Sequence, residues 1–407
     1  MADGVRGGNG SLAYALVFLL GALIAAGSTA ALRFRPNPSR VTSRRDQHRR
    51  LLDKPRVGGL AIFLAFLLAP LIGSALVGDV ADIIDDDWQA LAAPLLGGAI
   101  IVTLGAYDDV WVADFKLKFL GQAAAGLLLF LMDYRIDEIG IPWGNGSIDI
   151  DTGFLALPLT LFWVMLASNA VNLIDGKDGV AGGVGVIAAV ALAAVALDVG
   201  RDLQALMLLA LAGATLGFLP FNFPPARRFL GDSGALFIGF SVAAISIEGA
   251  RGPGGAMFIA IPILVLGFPL VDTVLAAVRR LLESRHPFFG DEDHIHHRIE
   301  RVLGFGPSLL VVSLWVISAV FAAAGVALHT IEGFVMEVIA FGVFAGLVLG
   351  IIVALEYHGS MWNAPRMRPV RKGLGLGLDP SGIPTFDPTV VRPREPIVAD
   401  TDDEAQR

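Results

Sequence analysis

The chain has 407 residues, of which 55% are hydrophobic and 17% charged, and its mean hydropathy of +0.68 excludes a soluble domain wetted on every side. The absence of cysteine excludes disulfide scaffolds, thiolate metal sites and cysteine nucleophiles, so any metal must bind oxygen or imidazole ligands. The net charge of -8 argues against a nucleic-acid partner. The composition therefore predicts an all-α polytopic membrane protein embedded in a lipid bilayer.

Eleven apolar runs are long enough for a helix to cross the hydrocarbon core, which needs about 17 to 25 residues. They lie at 11–32, 57–77, 90–106, 117–132, 153–171, 179–197, 203–221, 233–248, 256–278, 307–329 and 333–355. The pair 233–248 and 256–278 contains Gly and Pro, so one of these two is expected to be broken or half-buried. The first run is interpreted as a retained span, because its charged leader is a single Arg6 and its apolar part is too long for a signal peptide.

The loops between the runs differ strongly in charge. The connection 33–56 has nine Lys or Arg, whereas "GDVADIIDDDWQ" at 78–89 has none and five Asp. When alternate loops are assigned to alternate sides and the tail after residue 358 is left out, one side collects 19 Lys and Arg and the other 4. By the positive-inside rule the first side is cytoplasmic, which places the amino terminus outside and the carboxyl terminus inside.

Two segments differ from the helical runs. In residues 134–152, apolar and polar side chains alternate around Gly-Asn-Gly, a pattern that predicts a small external β-hairpin. The hairpin would belong to a transmembrane domain at 1–358. Residues 359–407 are rich in Pro, Gly and Arg and have too little apolar content to fold alone, so they are expected to form a disordered cytoplasmic tail.

The first polar motif, "GAYDDVWVADFKLKFLGQ", places Asp108 and Asp109 at the end of the third run. Adjacent aspartates at the end of a membrane helix are usually solvated boundary residues or helix caps. Lys116 and Lys118 follow closely, however, and paired carboxylates with nearby lysines suit a site that handles a metal and phosphate.

The second motif, "SNAVNLIDGKDGVAGG", ends the fifth run and has four candidate polar residues, Asn169, Asn172, Asp175 and Asp178. It resembles the opening of a calcium loop but has Lys177 and Val186 where such a loop requires oxygen ligands. Its glycines indicate a turn between helices. The three-residue spacing of Asn172, Asp175 and Asp178 further predicts that they lie along one side of a helix end.

The third motif, "FNFPPARRFLGDSGALFIGF", has Asn222 followed by Asp232 just before an apolar helix. Asp232 or Ser233 could simply cap that helix. The alternative is that the flanking glycines expose backbone N–H groups that bind phosphate at the helix amino terminus, while Asp232 offers oxygens to magnesium.

The fourth motif, "GDEDHIHHRIERVLG", contains three of the seven histidines, namely His294, His296 and His297. A zinc site is disfavoured because no two of these histidines have the i, i+4 spacing of a helical zinc pair. If Asp293 caps a helix that begins near His294, then His294, His297 and Arg298 share a face that favours an anion such as pyrophosphate. A solvated basic loop is the remaining alternative.

These four motifs, taken in order as "YDD", "NLIDGKDG", "NFPPARRFLGDSG" and "HIHHR", resemble the polyprenyl-phosphate N-acetylhexosamine-1-phosphate transferases, which include the MraY and WecA types. The resemblance covers roughly residues 50–302, and "PRVGGLAIF" at 55–63 resembles an early Pro-x-x-Gly-Gly segment of the same family. It implies transfer of a sugar 1-phosphate from a UDP-N-acetylhexosamine to undecaprenyl phosphate, with release of UMP. The implied cofactor is Mg²⁺, for which Mn²⁺ can substitute.

The resemblance also implies roles for individual residues. The catalytic candidates are the aspartates Asp108, Asp109, Asp175 and Asp178, and the metal ligands are Asp232 and Asn172. The substrate-binding candidates, completed by polar residues placed beside these motifs, are Lys118, Asn169, Asn222, His294, His296, His297 and Arg298.

Several alternatives stay open at this point. The form His-Ile-His-His resembles the branch that starts O-antigen lipopolysaccharide, teichoic acid or exopolysaccharide with GlcNAc or related sugars; the MraY-type peptidoglycan transferase is the alternative within the family. A secondary transporter would hold its ionisable residues near the membrane midplane, whereas these lie at span ends. An intramembrane metalloprotease would need a helical zinc pair. The oligomeric state is open, and a homodimer is one alternative.

Overall fold

The computed structural model describes residues 10–32, 56–111, 113–143, 146–251, 258–284, 294–330 and 334–354. The helices in these ranges are α1 Gly10–Ala31, α2 Gly58–Leu76, α3 Gly78–Asp86, α4 Trp88–Trp111, α5 Phe115–Leu131, α6 Ala156–Ile174, α7 Val180–Asp198, α8 Asp202–Asn222, α9 Gly231–Gly249, α10 Ala260–Val265, α11 Gly267–Leu282, α12 Ile295–Leu303, α13 Pro307–Thr330 and α14 Phe334–Ala354. A two-stranded antiparallel sheet, β1 Glu138–Trp143 and β2 Gly146–Asp151, and a 3-10 turn at Gly153–Leu155 complete the described secondary structure.

Eight helical segments among the described residues are long and apolar enough to cross a membrane: α1, α2, α4, the 3-10 turn together with α6, α7, α8, α9 and α13. The chain is therefore a multi-pass, helical membrane protein, but the predicted count of eleven spans is not confirmed. The other three apolar runs also form helices. One is α5, whose 17 residues are at the lower limit for a span, and another is α14, which contains a shorter apolar stretch at Phe341–Ala354.

The remaining run, 256–278, is broken into α10 and α11, as its Gly and Pro content predicts. Pro269 lies in the first turn of α11, where a missing backbone N–H costs no helical hydrogen bond. The other run for which a break was considered, 233–248, forms the continuous helix α9. The break leaves α11 as a separate helix of 16 residues that precedes the histidine segment.

Helix α9 forms the centre of the bundle. Every side chain from Ser233 to Ile247 is buried, because α9 packs against α2, α4, α6, α7 and α8. Phe237 meets Phe63 and Phe66 of α2 edge to face, with ring centroids 5.4 and 5.5 Å apart. In a bilayer, helices associate through such close packing, since lipid is as apolar as the helix surface. The first turn of α9 is thereby held in a fixed position.

The predicted hairpin is confirmed as the pair β1 and β2, in which Glu138 lies opposite Asp151. Arg251, just after α9, donates from Nη2 to the carbonyl of Arg135 at 2.7 Å. Its Nε donates to Glu248 at 2.8 Å. The hairpin is therefore attached to the end of α9 that is opposite the candidate site.

Three expectations concern residues outside the described ranges. They are the disordered tail at 359–407, the structure of most of the basic connection at 33–56, and the capping role of Asp293.

Candidate active site

Three charged residues from different parts of the chain meet at one end of the bundle. The ammonium of Lys118, in the first turn of α5, lies 2.7 Å from the Asp108 carboxylate at the end of α4. It also donates to Asp232, in the first turn of α9, at 2.6 Å. Asp108 accepts a second hydrogen bond from the backbone N–H of Ala113 at 2.6 Å. Two carboxylates thus share one cation.

Asp109 has a different environment from its neighbour Asp108. Its carboxylate accepts hydrogen bonds from the backbone N–H groups of Asp232 and Ser233, at 3.0 and 3.3 Å, and from the Ser233 hydroxyl at 2.8 Å. Asp109 therefore caps the amino terminus of α9 from outside the helix. These backbone donors, which the sequence suggested for a phosphate, are directed at a protein carboxylate.

The approach of Asp109 requires the glycine before Asp232. Gly231 has φ +74°, and a Cβ at this position would lie 2.5 Å from Asp109 Oδ2. On the other side, the start of α2 pairs with the same loop, since Gly59 donates its backbone N–H to the carbonyl of Leu230 at 3.1 Å. Arg56 reaches Asp109 at 3.4 Å. Residues 56–59 therefore help to hold the Asp232 loop in place.

The predicted single face of Asn172, Asp175 and Asp178 is not formed. Helix α6 ends at Ile174, so only Asn172 is helical; Asp175 is the residue that ends the helix and Asp178 lies in the following turn. The turn glycines end the helix before the three-residue spacing can repeat. The side chain of Asn172 still lies close enough to Asp232 to interact with its carboxylate. Asp178 accepts the backbone N–H of Ala226 at 2.9 Å and so joins the second motif to the third.

Asp175 lies in the negative environment of this cluster. Part of its surface remains accessible, yet protein surrounds its carboxyl group. Burial raises the pKa of Asp175 well above its usual value, and the charges of Asp232, Asp109 and Asp178 raise it further. Its carboxyl group thus holds a proton more readily than an ordinary aspartate.

The two candidate asparagines make hydrogen bonds within the protein. Asn222 accepts the backbone N–H of Gly179 at 2.9 Å and donates to the carbonyl of Arg228 at 3.0 Å. Asn169 forms a reciprocal amide pair with Gln122 of α5, at 2.6 and 3.3 Å. Their predicted contacts with substrate therefore stay predictions, and both amides have positioning roles in this structure.

The histidine segment lies over the second motif. His296 is 1% exposed, and neither of its ring nitrogens has a hydrogen-bond partner within the described residues. A Cβ on Gly176 would lie 2.8 Å from His296 Nε2, so the glycine permits this approach. Burial, and then the neighbouring charge of His297, lower the pKa of His296 to about 4. His296 is therefore neutral near pH 7, so its ring can take part in hydrogen bonds but carries no positive charge.

Helix α12 begins at Ile295, next to His294 as predicted. The backbone N–H of Ile295 donates to Asp272 of α11 at 2.7 Å. His294 Nδ1 contacts the same carboxylate at 2.7 Å. His294 precedes the helix and therefore does not share a helical face with His297 and Arg298. Farther along α12, Glu300 pairs with Lys177 at 2.6 Å.

The donor set fits a magnesium ion. The oxygens of Asp108 and Asp232 already converge on a cation, Lys118 Nζ, and Asn172 lies beside Asp232. The described residues contain no group of three or more His, Asp or Glu close enough to hold a metal alone. Magnesium nevertheless binds through one or two carboxylates, completed by water and substrate phosphates, so two converging carboxylates suffice.

Sequence reasoning missed four residues that the structure brings into or beside the site: Arg56, Gln122, Ser233 as a donor to Asp109, and Asp272. Gln122 and Asp272 each had a detectable signal, because a polar residue within an apolar run must find a partner. Neither signal identifies that partner, which comes from a different helix.

Comparison with known proteins gives consistent matches. The family model described as glycosyl transferase family 4 matches residues 91–250. A Bacillus subtilis protein named as a probable undecaprenyl-phosphate N-acetylglucosaminyl 1-phosphate transferase is 34% identical over 285 residues, which cover 70% of this chain and 76% of the relative. The decaprenyl-phosphate N-acetylglucosaminephosphotransferase of Mycobacterium tuberculosis is 35% identical over 358 residues, covering 79% and 87%.

A more distant relative is the phospho-N-acetylmuramoyl-pentapeptide-transferase of Listeria welshimeri. It is 36% identical over 211 residues, which cover 49% of this chain and 62% of the relative.

Proposed function

This chain belongs to glycosyl transferase family 4, and from that membership we propose that it transfers N-acetylglucosamine 1-phosphate from UDP-N-acetylglucosamine to undecaprenyl phosphate. The lipid phosphate oxygen forms a bond to the β-phosphorus of the donor. The bond from that phosphorus to the oxygen bridging the two phosphates breaks, and UMP leaves with that oxygen.

The shared contact of Lys118 with Asp108 and Asp232 carries this proposal. Attack of one phosphate on another brings like charges together, so the site must neutralise and align them. Lys118 provides a fixed positive charge among the motifs, and its two carboxylate partners hold it in place. A lysine on the flexible tip of a loop could not be directed in this way.

The residues around Lys118 have separate tasks. Asp108 lies 2.7 Å from this cation and is our candidate for receiving or orienting the proton of the acceptor phosphate. A strong base is only partly needed, because a phosphate monoester has a second pKa near about 6 and is mostly dianionic at neutral pH. Asp109 positions the first turn of α9, and with it Asp232, through its bonds to the backbone.

Asp232 and Asp108, with Asn172 beside them, would hold magnesium, and manganese could replace it. When bound, the metal supplies positive charge that neutralises the phosphate oxygens and orients them. His296 lies against Gly176 in the turn between α6 and α7, and Glu300 of α12 pairs with Lys177 in the same turn. This proximity to the second motif supports a role for the histidines in hydrogen-bonding the donor diphosphate.

The surface beside this cluster suits a lipid substrate. Tyr107 and Trp111 stack with ring centroids 5.2 Å apart and are 44% and 60% exposed. Tyr107 immediately precedes Asp108, and Trp111 follows it by about one turn. Phe115, in the first turn of α5, is also exposed. Exposed aromatic rings of this kind are enriched where membrane meets water, so the charged cluster lies at the level of a lipid headgroup. The excess of Lys and Arg on this side supports a site that faces the cytoplasm from the bacterial plasma membrane.

The names of the relatives support the choice of donor sugar. The Bacillus and Mycobacterium tuberculosis relatives, which match 70% and 79% of this chain, are named for N-acetylglucosamine, whereas the N-acetylmuramoyl-pentapeptide relative matches 49% of it. The product would begin a cell-envelope polysaccharide. Enzymes of this kind discriminate sugars through a few pocket contacts, so a panel of donors is needed to test the choice.

The decisive experiment is a turnover assay of the purified protein in detergent. Undecaprenyl phosphate is mixed with UDP-GlcNAc, UDP-GalNAc or UDP-MurNAc-pentapeptide, and UMP release is followed with Mg²⁺, with Mn²⁺ or with EDTA. We expect UMP release with UDP-GlcNAc, and we expect this release to depend on both the lipid and the metal. The variant Asp232→Asn should stay folded but release no UMP. Faster release from UDP-MurNAc-pentapeptide would move the protein to the peptidoglycan branch. Lipid-independent release would reject the acceptor.

A further inference from the structure

Asp272 is a carboxylate in an unusual place. It lies in the interior of α11, between buried apolar residues such as Val271 and Leu275, and is 0% exposed. A buried carboxylate is costly unless both oxygens are hydrogen-bonded. Here Oδ1 accepts the Ile295 backbone N–H and Oδ2 contacts His294 Nδ1, each at 2.7 Å. Both partners belong to the start of α12, more than twenty positions along the chain.

This contact fixes the chemical form of His294. An ionised carboxylate only accepts hydrogen bonds, so the ring nitrogen facing it must carry the hydrogen. Neutral His294 is then the Nδ1–H tautomer, and its Nε2 keeps a lone pair. Replacing the carboxylate with an amide would reverse this preference. An amide NH₂ group facing Nδ1 donates a hydrogen bond, so Nδ1 must carry a lone pair to accept it.

The anchored histidine in turn supports the rest of the histidine row. The rings of His294 and His296 are parallel, with centroids 5.8 Å apart. The ring of His297 lies 4.3 Å from that of His296. His296 rests on Gly176, and Lys177 in the same turn pairs with Glu300. A series of contacts through α12 thus connects Asp272 with the turn that contains Asp175 and Asp178.

We propose that Asp272 is a positioning residue of the transferase, which sets the tautomer of His294 and the starting point of α12 without itself touching substrate. The effect of Asp272 on catalysis rests on the proposed function, whereas its effect on the tautomer of His294 does not. Asp272 is a buried residue of α11 and lies outside all four sequence motifs.

The tautomer is read directly by ¹⁵N NMR of histidine-labelled protein in nanodiscs, with the His294 signals identified by their loss in His294→Gln. We expect the Nδ1–H form in the wild-type protein and the Nε2–H form in Asp272→Asn. The asparagine has the same shape and its amide oxygen can still accept the Ile295 N–H. An Nε2–H form in the wild-type protein overturns the proposal even if every Asp272 variant fails to fold.

The activity arm separates positioning from simple stabilisation. UMP release by Asp272→Asn is expected to fall roughly ten- to hundredfold, as is typical when the partner that orients an active-site imidazole is lost. The double variant Asp272→Asn/His294→Gln should be no slower than His294→Gln alone, because both changes act through one imidazole. If the fold-losses in UMP release of the two single variants multiplied in the double variant, Asp272 would act independently of His294 and the positioning role would be wrong. If the wild-type protein released no UMP, the proposed function would fail while the NMR result would still decide the tautomer.

Discussion

The ammonium of Lys118 lies 2.6 Å from the carboxylate of Asp232, a residue 114 positions farther along the chain. The contact brings the first turns of α5 and α9 together at the end of α4, where Asp108 completes the group. Each of these residues lies in the first or last turn of an apolar helix, so the helices act as rigid supports that direct the three side chains to one point.

Lys118→Met is expected to lower UMP release by about 10²-fold or more, as is common when one group that stabilises transition-state charge is removed. The substitution also leaves Asp108 and Asp232 facing each other without their shared cation. The matched control is Lys116→Met, since Lys116 is exposed two positions earlier and its ammonium lies 6.0 Å from the centroid of the Phe115 ring, with no carboxylate partner among the described residues. Equal losses in both variants would show that general positive charge, and not this contact, supports turnover.

The adjacent aspartates are expected to respond differently to amidation. Asp109→Asn places an NH₂ group against donors at the start of α9, so it should cost about 1–2 kcal/mol of stability and lower the melting temperature. Asp108→Asn removes charge beside Lys118 and should leave the melting temperature nearly unchanged. Both should lose most UMP release. Thermal unfolding in detergent provides the comparison, with the exposed Asp114→Asn as a control. Indistinguishable melting curves for Asp108→Asn and Asp109→Asn would contradict the capping role of Asp109.

The helices could be predicted because apolar runs of bilayer length have few other folded outcomes. All eleven runs form helices, including the pair α10 and α11 that Gly and Pro separate. The number of spans could not be predicted, since crossing a membrane depends on tilt and burial as well as on composition. The turn at Gly176 also ended α6 earlier than the spacing of Asn172, Asp175 and Asp178 suggested.

The motifs predicted which polar residues gather at one end, but not their partners. The prediction did not distinguish Asp108, which faces Lys118, from Asp109, which caps α9, because the two are adjacent in sequence. Their separation comes from the helical rotation of about 100° between neighbours, which directs them to different elements. Asp272 was missed for a related reason, since its partners are brought to it by the fold of α12 against α11.

His296 is expected to lower the stability of the folded protein in acid. Its pKa in the folded protein is about 4, below the usual 6.5, so the unfolded chain takes up a proton first as pH falls. The free energy of unfolding should therefore decrease between about pH 6.5 and pH 4, by up to about 3 kcal/mol. His296→Gln lacks this titration, so its melting temperature should fall less over the same range. The charges acting on the ring come from His297, Asp272, His294 and Lys177, all of which the variant retains.

Melting curves of both proteins at pH 7, 5.5 and 4.5 provide the measurement. Parallel decreases would assign the acid sensitivity to other groups, whereas a steeper decrease in the wild-type protein confirms the role of His296.

The amide pair between Gln122 and Asn169 is expected to set the distance between α5 and α6. Gln122 lies one turn from Lys118, and Asn169 lies one turn from Asn172, so the pair forms a layer beneath the charged cluster. Gln122→Ala or Asn169→Ala leaves a buried amide without its partner, which should cost about 1–2 kcal/mol. The double variant should cost less than the sum, with a coupling of about 0.6–1.7 kcal/mol for an interhelical hydrogen bond in a membrane protein. Each single variant should also lower UMP release by the folded protein, because Lys118 loses its support.

The matched control for this prediction is Gln204→Ala. Gln204 is also buried but contacts Tyr134 at the opposite end of the bundle, so its loss should lower stability and leave turnover intact. Additive stability losses, or turnover that falls as much in Gln204→Ala, would mean that the pair merely fills the interior and does not position Lys118.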